Sequence, residues 1–252
     1  MSNIYEALAQ AQKERKTGPS MDPSPGGNRK EIPLGPKGGR ATPNISIDAE
    51  MFTLYQHLDS LLPDFTQKSI QFIGCREGEG VSTIVREFAR CAVSRFGKKV
   101  LIMDAAHHNP SQHIYFNIEC NYGWKDALGR GEPLGKACYQ AENVNLFLSP
   151  ISSRPALTQP INDRSAATAL FQELKALFDL ILIDSSPVTT SPDTVDIARF
   201  ADGIVMVLEA ERTRWQMVEN VKEKICRNGG NILGVVLNKR KYYIPETIYK
   251  KL

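Results

Sequence analysis

Three polar constellations in this 252-residue sequence have the residue types and spacing for phosphate and metal chemistry. The first is Gly74-Cys-Arg-Glu-Gly78-Glu-Gly80-Val-Ser82-Thr83. A glycine-rich turn that opens a helix lets backbone N–H groups close on an anion, and the helix dipole adds attraction. The second is Asp104, ending the run Leu-Ile-Met-Asp, and the third is Asp184, ending Leu-Ile-Leu-Ile-Asp. Two carboxylates and a hydroxyl are the hard oxygen ligands that a magnesium ion bridging phosphates takes. Each motif alone has a bland reading, because Gly-rich turns are often mere connections and a strand-end Asp often caps a helix. In this order they point to a phosphate-binding loop. Gly78, Gly80, Ser82 and Thr83 are then candidate nucleotide-binding residues. Asp104 and Asp184 are candidate catalytic carboxylates, and Ser82, Asp104 and Asp184 are candidate metal ligands.

Such groups act together only if the chain delivers them to one edge of a sheet. Apolar runs at 69–74, 99–104, 178–184, 203–208 and 232–238 read as buried strands, with a weaker sixth at 144–148. Helical patterns at about 81–96, 164–177, 193–200 and 213–228 separate them, and Asp48 is placed to cap a helix whose apolar stripe is Met51, Leu54, Tyr55, Leu58, Leu61 and Leu62. Near-continuous apolar strands alternating with helices predict an α/β fold, a doubly wound parallel sheet covered on both faces. In such sheets ligands sit beyond the carboxyl ends of the strands, which is where all three constellations fall.

The rest of the chain is organised around that body. Residues 2–16 predict a short helix with Ile4, Leu8 and Ala11 on one face, and six Pro and six Gly in residues 17–43 predict a flexible linker. The P-loop body is expected over 44–252. The formal net charge of +3 lies entirely in the first 40 residues, where seven Lys/Arg face four Asp/Glu, so the body is neutral and not a nucleic-acid-binding domain on charge grounds. No apolar run reaches membrane-spanning length, and the N-terminus lacks the apolar core of a secretory signal, so a cytoplasmic protein without a transmembrane segment is expected. Cys75, Cys91, Cys120, Cys138 and Cys226 are odd in number and contain no CxxC pair, which fits reduced thiols. His107, His108 and His113 lack a fourth ligand at metal spacing.

At the three constellations the sequence resembles the bacterial tyrosine kinases of capsule and exopolysaccharide synthesis, the CpsD/CapB type, within the MinD/ParA class of deviant P-loop ATPases. The resemblance covers roughly residues 48–240 and rests on Gly78–Thr83, on Lys98–Ala105 ending in Pro110, and on Phe178–Val188. Asp193, Ala201–Val207 and Gly234–Asn238 continue it. The opening Met-Ser-Asn-Ile-Tyr-Glu-Ala-Leu and the stretch Tyr243–Tyr249 are similar to the two ends of exosortase-associated members. The resemblance implies ATP/ADP and Mg2+ as cofactors, self-association into a homo-oligomer, and a membrane-embedded chain-length or copolymerase protein as partner. It places the chain at the inner face of the membrane through that partner. Tyrosine-rich tails of the family autophosphorylate; here Tyr242, Tyr243 and Tyr249 either serve so or pack as an aromatic-aliphatic strip.

The departures from the family pattern bear on catalysis. The Walker A lysine position holds Val81; the second strand reads Asp104-Ala-Ala106 where the family has Asp-Ala-Asp; and the helix Glu50–Leu58 carries no arginine. Loss of a transition-state cation costs several kcal/mol, since such groups contribute ~10³–10⁵ in rate. These losses predict a pseudokinase acting by binding. The alternatives are an active tyrosine autokinase and a MinD/ParA-like positioning ATPase. Arg76 aligns with the second lysine of MinD-type loops and either contacts phosphate or is a solvated surface arginine. Asn238 either reads adenine, as in related ATPases, or is a turn residue.

Overall fold

The computed structural model describes residues 47–64, 66–107, 109–142, 145–151 and 164–241. The chain divides into units 1–45 and 46–252, and all described residues lie in the second. The helix expected over 2–16, the linker 17–43, His108 and the tail tyrosines lie outside the described residues.

Among the described residues seven strands form one sheet in the order β3-β4-β2-β5-β1-β6-β7. These are β1 (Lys68–Gly74), β2 (Val100–Ala105), β3 (Tyr139–Gln140), β4 (Leu146–Ser149), β5 (Leu180–Ser185), β6 (Gly203–Glu209) and β7 (Ile232–Asn238). All neighbours run parallel except β3, which pairs antiparallel with β4. The sequence pattern predicts no such strand. Only residues 141–145 join β3 to β4, and a parallel neighbour would need a crossover of a dozen or more residues.

Helix α1 (Ile47–Leu61) packs on α2 (Val81–Phe96), and α2 covers one sheet face with Ile84, Val85, Phe88 and Ala92. The Tyr55 ring stacks on Phe96 at 3.8 Å and lies 5.9 Å from Phe88, which locks the two helices together. Burying a side chain such as Phe88 contributes about 1.5–3 kcal/mol. Asp48, expected as the cap of α1, falls inside its first turn and takes Arg95 of α2 at 2.5 Å instead. The opposite face carries α5 (Arg164–Leu177), α6 (Asp193–Ala198) and α7 (Trp215–Arg227), with Leu170, Phe171 and Leu174 against β2 and β5, and Val218, Val221 and Ile225 against β6. Short helices α3 (Gln112–Tyr115) and α4 (Trp124–Arg130) fill the connection after β2.

One feature of register decides the site. Asp104 of β2 lies directly opposite Asp184 of β5. Side chains at matched positions on neighbouring strands project to the same face, so the two carboxyls meet at the carboxyl edge of the sheet.

Candidate active site

The loop between β1 and α2 has the backbone that its glycines allow. Gly78 and Gly80 adopt φ +80° and +93°, conformations that side chains with a Cβ rarely take. A Cβ on Gly80 would stand 2.2 Å from Asn238 Nδ2, whereas one on Gly78 would meet nothing within 4 Å. The loop is tied down from several sides. Buried Glu79 folds back so that its carboxylate accepts the N–H groups of Cys75 (2.6 Å) and Arg76 (2.9 Å), and the Thr213 hydroxyl donates to its other oxygen. Asn238 Nδ2 donates to Glu79 O at 2.8 Å, and Lys239 Nζ donates to Gly78 O at 2.5 Å while lying 3.4 Å from Glu209. The Thr189 hydroxyl donates to Cys75 O at 3.1 Å. Asn238 thus spends its amide on the loop backbone.

The inner side of the loop remains free for an anion. Thr83 and Ile84 donate their N–H groups to Gly80 O at 3.1 and 3.0 Å. Among the described residues, the N–H groups of residues 78–82 have no protein acceptor. A row of unsatisfied N–H groups at a helix N-terminus is the chemistry that binds phosphate. Thus the residues present fit the phosphates of a nucleotide.

The cationic side of the site is different. Val81 packs against the main apolar cluster. Arg76 is exposed at the rim, with its backbone N–H held by Glu79. Arg86, one turn into α2, donates to the Thr83 hydroxyl at 3.2 Å and stacks over the Tyr115 ring at 4.2 Å.

The acidic pair is enclosed. Asp104 and Asp184 are 0% and 1% exposed. Asp104 accepts backbone N–H groups from Ala106 (3.0 Å) and Gln112 (3.2 Å), and its backbone carbonyl accepts the Trp124 indole N–H at 2.8 Å. Asp184 accepts Gln112 Nε2 at 2.6 Å and the Ser82 hydroxyl. Burial and then the charge of Asp184 push the Asp104 carboxyl up to about 8, and burial also raises Asp184. Two enclosed carboxyls side by side favour retention of a proton. Asp184 receives a side-chain amide and a hydroxyl, so Asp104 is where the proton stays. Gln112, wholly buried, also donates from Nε2 to Ser82 O at 3.2 Å. Every group that would ligate a magnesium ion is therefore engaged within the protein, and the residues present do not fit that ion.

Behind the pair sits a second buried charge cluster. Lys125 Nζ lies 2.5 Å and His107 Nε2 lies 2.7 Å from the same Asp193 oxygen. Burial alone would raise Asp193, but His107 and Lys125 outweigh it and take the carboxyl down to about 2.

The structure thus gathers Gly78, Gly80, Ser82, Thr83, Asp104, Asp184 and Asn238 around one loop, and leaves Arg76 on its outer rim. Sequence reasoning missed Gln112, Glu79, Lys239 and Lys125. Glu79 carried a signal, being a charged residue enclosed by the glycines of the loop. Gln112 carried none, because its approach depends on how the connection after β2 folds back.

A family model described as "Cellulose biosynthesis protein BcsQ" matches residues 67–222. "Tyrosine-protein kinase YwqD" of Bacillus subtilis is 27% identical over 199 residues, covering 78% of this chain and 83% of that protein. "Tyrosine-protein kinase CpsD" of Streptococcus agalactiae is 28% identical over 173 residues, covering 68% and 75%. Of solved structures, the chimerical protein CapA2B2 is similar at TM-score 0.69 and 27% identity, over 80% of this chain and 88% of that one. The septum site-determining protein MinD of Pyrococcus horikoshii, complexed with Mg-ADP, is similar at TM-score 0.60 and 19% identity over 73% and 76%, which shows the shared fold. The chain belongs to the family described as cellulose biosynthesis protein BcsQ and is a relative of the bacterial tyrosine kinases within the α/β P-loop fold.

Proposed function

We propose that this protein is a phosphate-loop protein of bacterial exopolysaccharide assembly that acts by binding and transfers no phosphoryl group. One observation carries the reading: the loop keeps its phosphate cradle, while position 81 is a half-buried valine that packs against the apolar core and offers no charge. Phosphoryl transfer depends on cations that neutralise developing charge, and their removal costs ~10³–10⁵ in rate. Asp104 and Asp184 therefore serve structure here, and the loop residues Gly78, Gly80, Ser82 and Thr83 hold nucleotide phosphates, ADP or ATP, with modest affinity.

The polysaccharide role is supported by the family name and by the kinase relatives. The partner would be a membrane copolymerase or chain-length protein, with this chain cytoplasmic and held at the membrane by that contact. No described helix is long and apolar enough to cross a membrane. The test is incubation with magnesium-ATP and a phosphotyrosine readout, beside the Val81→Lys variant. The expected result is no phosphotyrosine on the natural chain, together with tighter ATP binding by Val81→Lys. Autophosphorylation of the natural chain would overturn the proposal in favour of an active autokinase.

A further inference from the structure

We infer that Gln112 is a built-in substitute for the divalent cation, closing the metal position so that nucleotide binds this chain without magnesium. The inference rests on the reading of the loop as a phosphate site and adds how that site treats metal.

The Gln112 carboxamide has two N–H donors and one acceptor oxygen. Both donors are used, one on Asp184 Oδ2 at 2.6 Å and one on Ser82 O at 3.2 Å. Its oxygen faces Arg86 Nη1 at 3.5 Å. A magnesium ion would need to stand about 2.1 Å from its oxygen ligands. An amide nitrogen already 2.6 Å from Asp184 Oδ2 blocks that approach, and its polar hydrogens would face the cation. Ser82, the hydroxyl that would complete the set, donates to Asp184.

Movement of Gln112 is opposed on three sides. Its backbone N–H is held by Asp104 at 3.2 Å, its side chain is wholly buried, and Arg86 is fixed by the Thr83 hydroxyl and the Tyr115 ring. A cation entering here would have to break two donated hydrogen bonds and leave a buried carboxamide unpaired. Gln112 links the same two elements that a metal would link, the start of α2 at Ser82 and the end of β5 at Asp184. It does so with a neutral group. Arg86 stands beside the Gln112 oxygen and Lys239 is bonded to the outer carbonyl of Gly78, so cationic side chains lie near the loop without a metal.

The test uses the full chain with Mn2+ as a spin-visible stand-in for magnesium, free Mn2+ being read by electron paramagnetic resonance with and without ADP. Calorimetry of ADP binding in EDTA and in magnesium runs alongside. The expected result for the natural chain is equal ADP affinity in both buffers and no uptake of Mn2+. Gln112→Ala gains Mn2+ affinity by about tenfold or more, the equivalent of one released hydrogen bond at this site. Gln112→Asn, whose shorter arm cannot reach both Ser82 and Asp184, shows the same gain and carries the test if the alanine variant fails to fold. Stoichiometric Mn2+ uptake by the natural chain with ADP would overturn the inference. So would a folded variant that binds Mn2+ no better than the natural chain. Absence of ADP binding in EDTA by any of these chains would refute the phosphate reading alone, since the nucleotide-free Mn2+ titration still decides the role of Gln112.

Discussion

The proton that burial and the neighbouring charge of Asp184 keep on Asp104 makes a quantitative prediction about stability. In the unfolded chain the Asp104 carboxyl ionises near its ordinary value of 3.8, whereas in the folded chain it stays protonated up to about 8. Between those values the native state binds one more proton than the unfolded state, so the free energy of unfolding falls as pH rises. The slope is about 1.4 kcal/mol per pH unit for one proton. From about pH 5 to about pH 7 the loss is about 3 kcal/mol, or about 6–12 °C in Tm for a domain of this size. Asp104→Asn removes the titration while keeping the shape. Its amide can still accept the 3.0 Å hydrogen bond from Ala106, but one edge of it then faces the Gln112 N–H, now 3.2 Å from Asp104. That conflict costs about 1 kcal/mol and does not vary with pH. Urea unfolding of both proteins, followed by tryptophan fluorescence in metal-free buffer, gives the difference directly, and groups that titrate in both cancel. The variant should be slightly the weaker near pH 4.5 and clearly the more stable near pH 8. A difference that stays constant across this range would refute the retained proton on Asp104.

Three other predictions follow from the geometry. Gly80→Ala should destabilise by about 2–3 kcal/mol, because it adds left-handed strain and pushes away the Asn238 amide that ties the loop, while Gly78→Ala should cost about 1 kcal/mol from backbone strain alone; thermal unfolding compares the two. Lys125→Met should cost about 2–3 kcal/mol by removing the buried cation from Asp193 and leaving that carboxyl to His107 alone, read by urea unfolding. In the natural chain that carboxyl, held down to about 2, contributes stability that is fully present above about pH 4 and is lost as pH falls through about 2. With a thiol reagent under native conditions, exposed Cys226 should react first, and Cys75, buried and with its thiol pushed up to about 12, should react only on unfolding; mass spectrometry of the labelled chain decides.

Much of the fold was legible in the amino-acid order. Long apolar runs such as 99–104 and 178–184 can be satisfied only by strands buried on both faces, and the helices between them force parallel crossovers. The sheet observed has that form, with β2 at Val100–Ala105 and β5 at Leu180–Ser185. The short strand Tyr139–Gln140 was not legible, since two residues carry no periodicity. Asp48 illustrates a different limit. Its residue type suits a helix cap, but it lies within the first turn and pairs with Arg95 on the neighbouring helix.

The site divides in the same way. The glycines at 78 and 80, the carboxylates at 104 and 184 and the valine at 81 announce a phosphate loop and its missing charge, because each is a local requirement of backbone or chemistry. What those residues touch was decided by the tertiary structure. Gln112 lies 30 residues from Ser82 and 72 from Asp184 in sequence, yet bonds both. Lys239 reaches Gly78 across 161 residues, and Thr213 reaches Glu79 across 134. Local sequence can specify a turn or a strand end, because those follow from dihedral preferences and periodicity within a few residues. Which donors saturate a buried carboxylate depends on contacts between distant segments, and only the packed sheet with its returning connections brings those segments together.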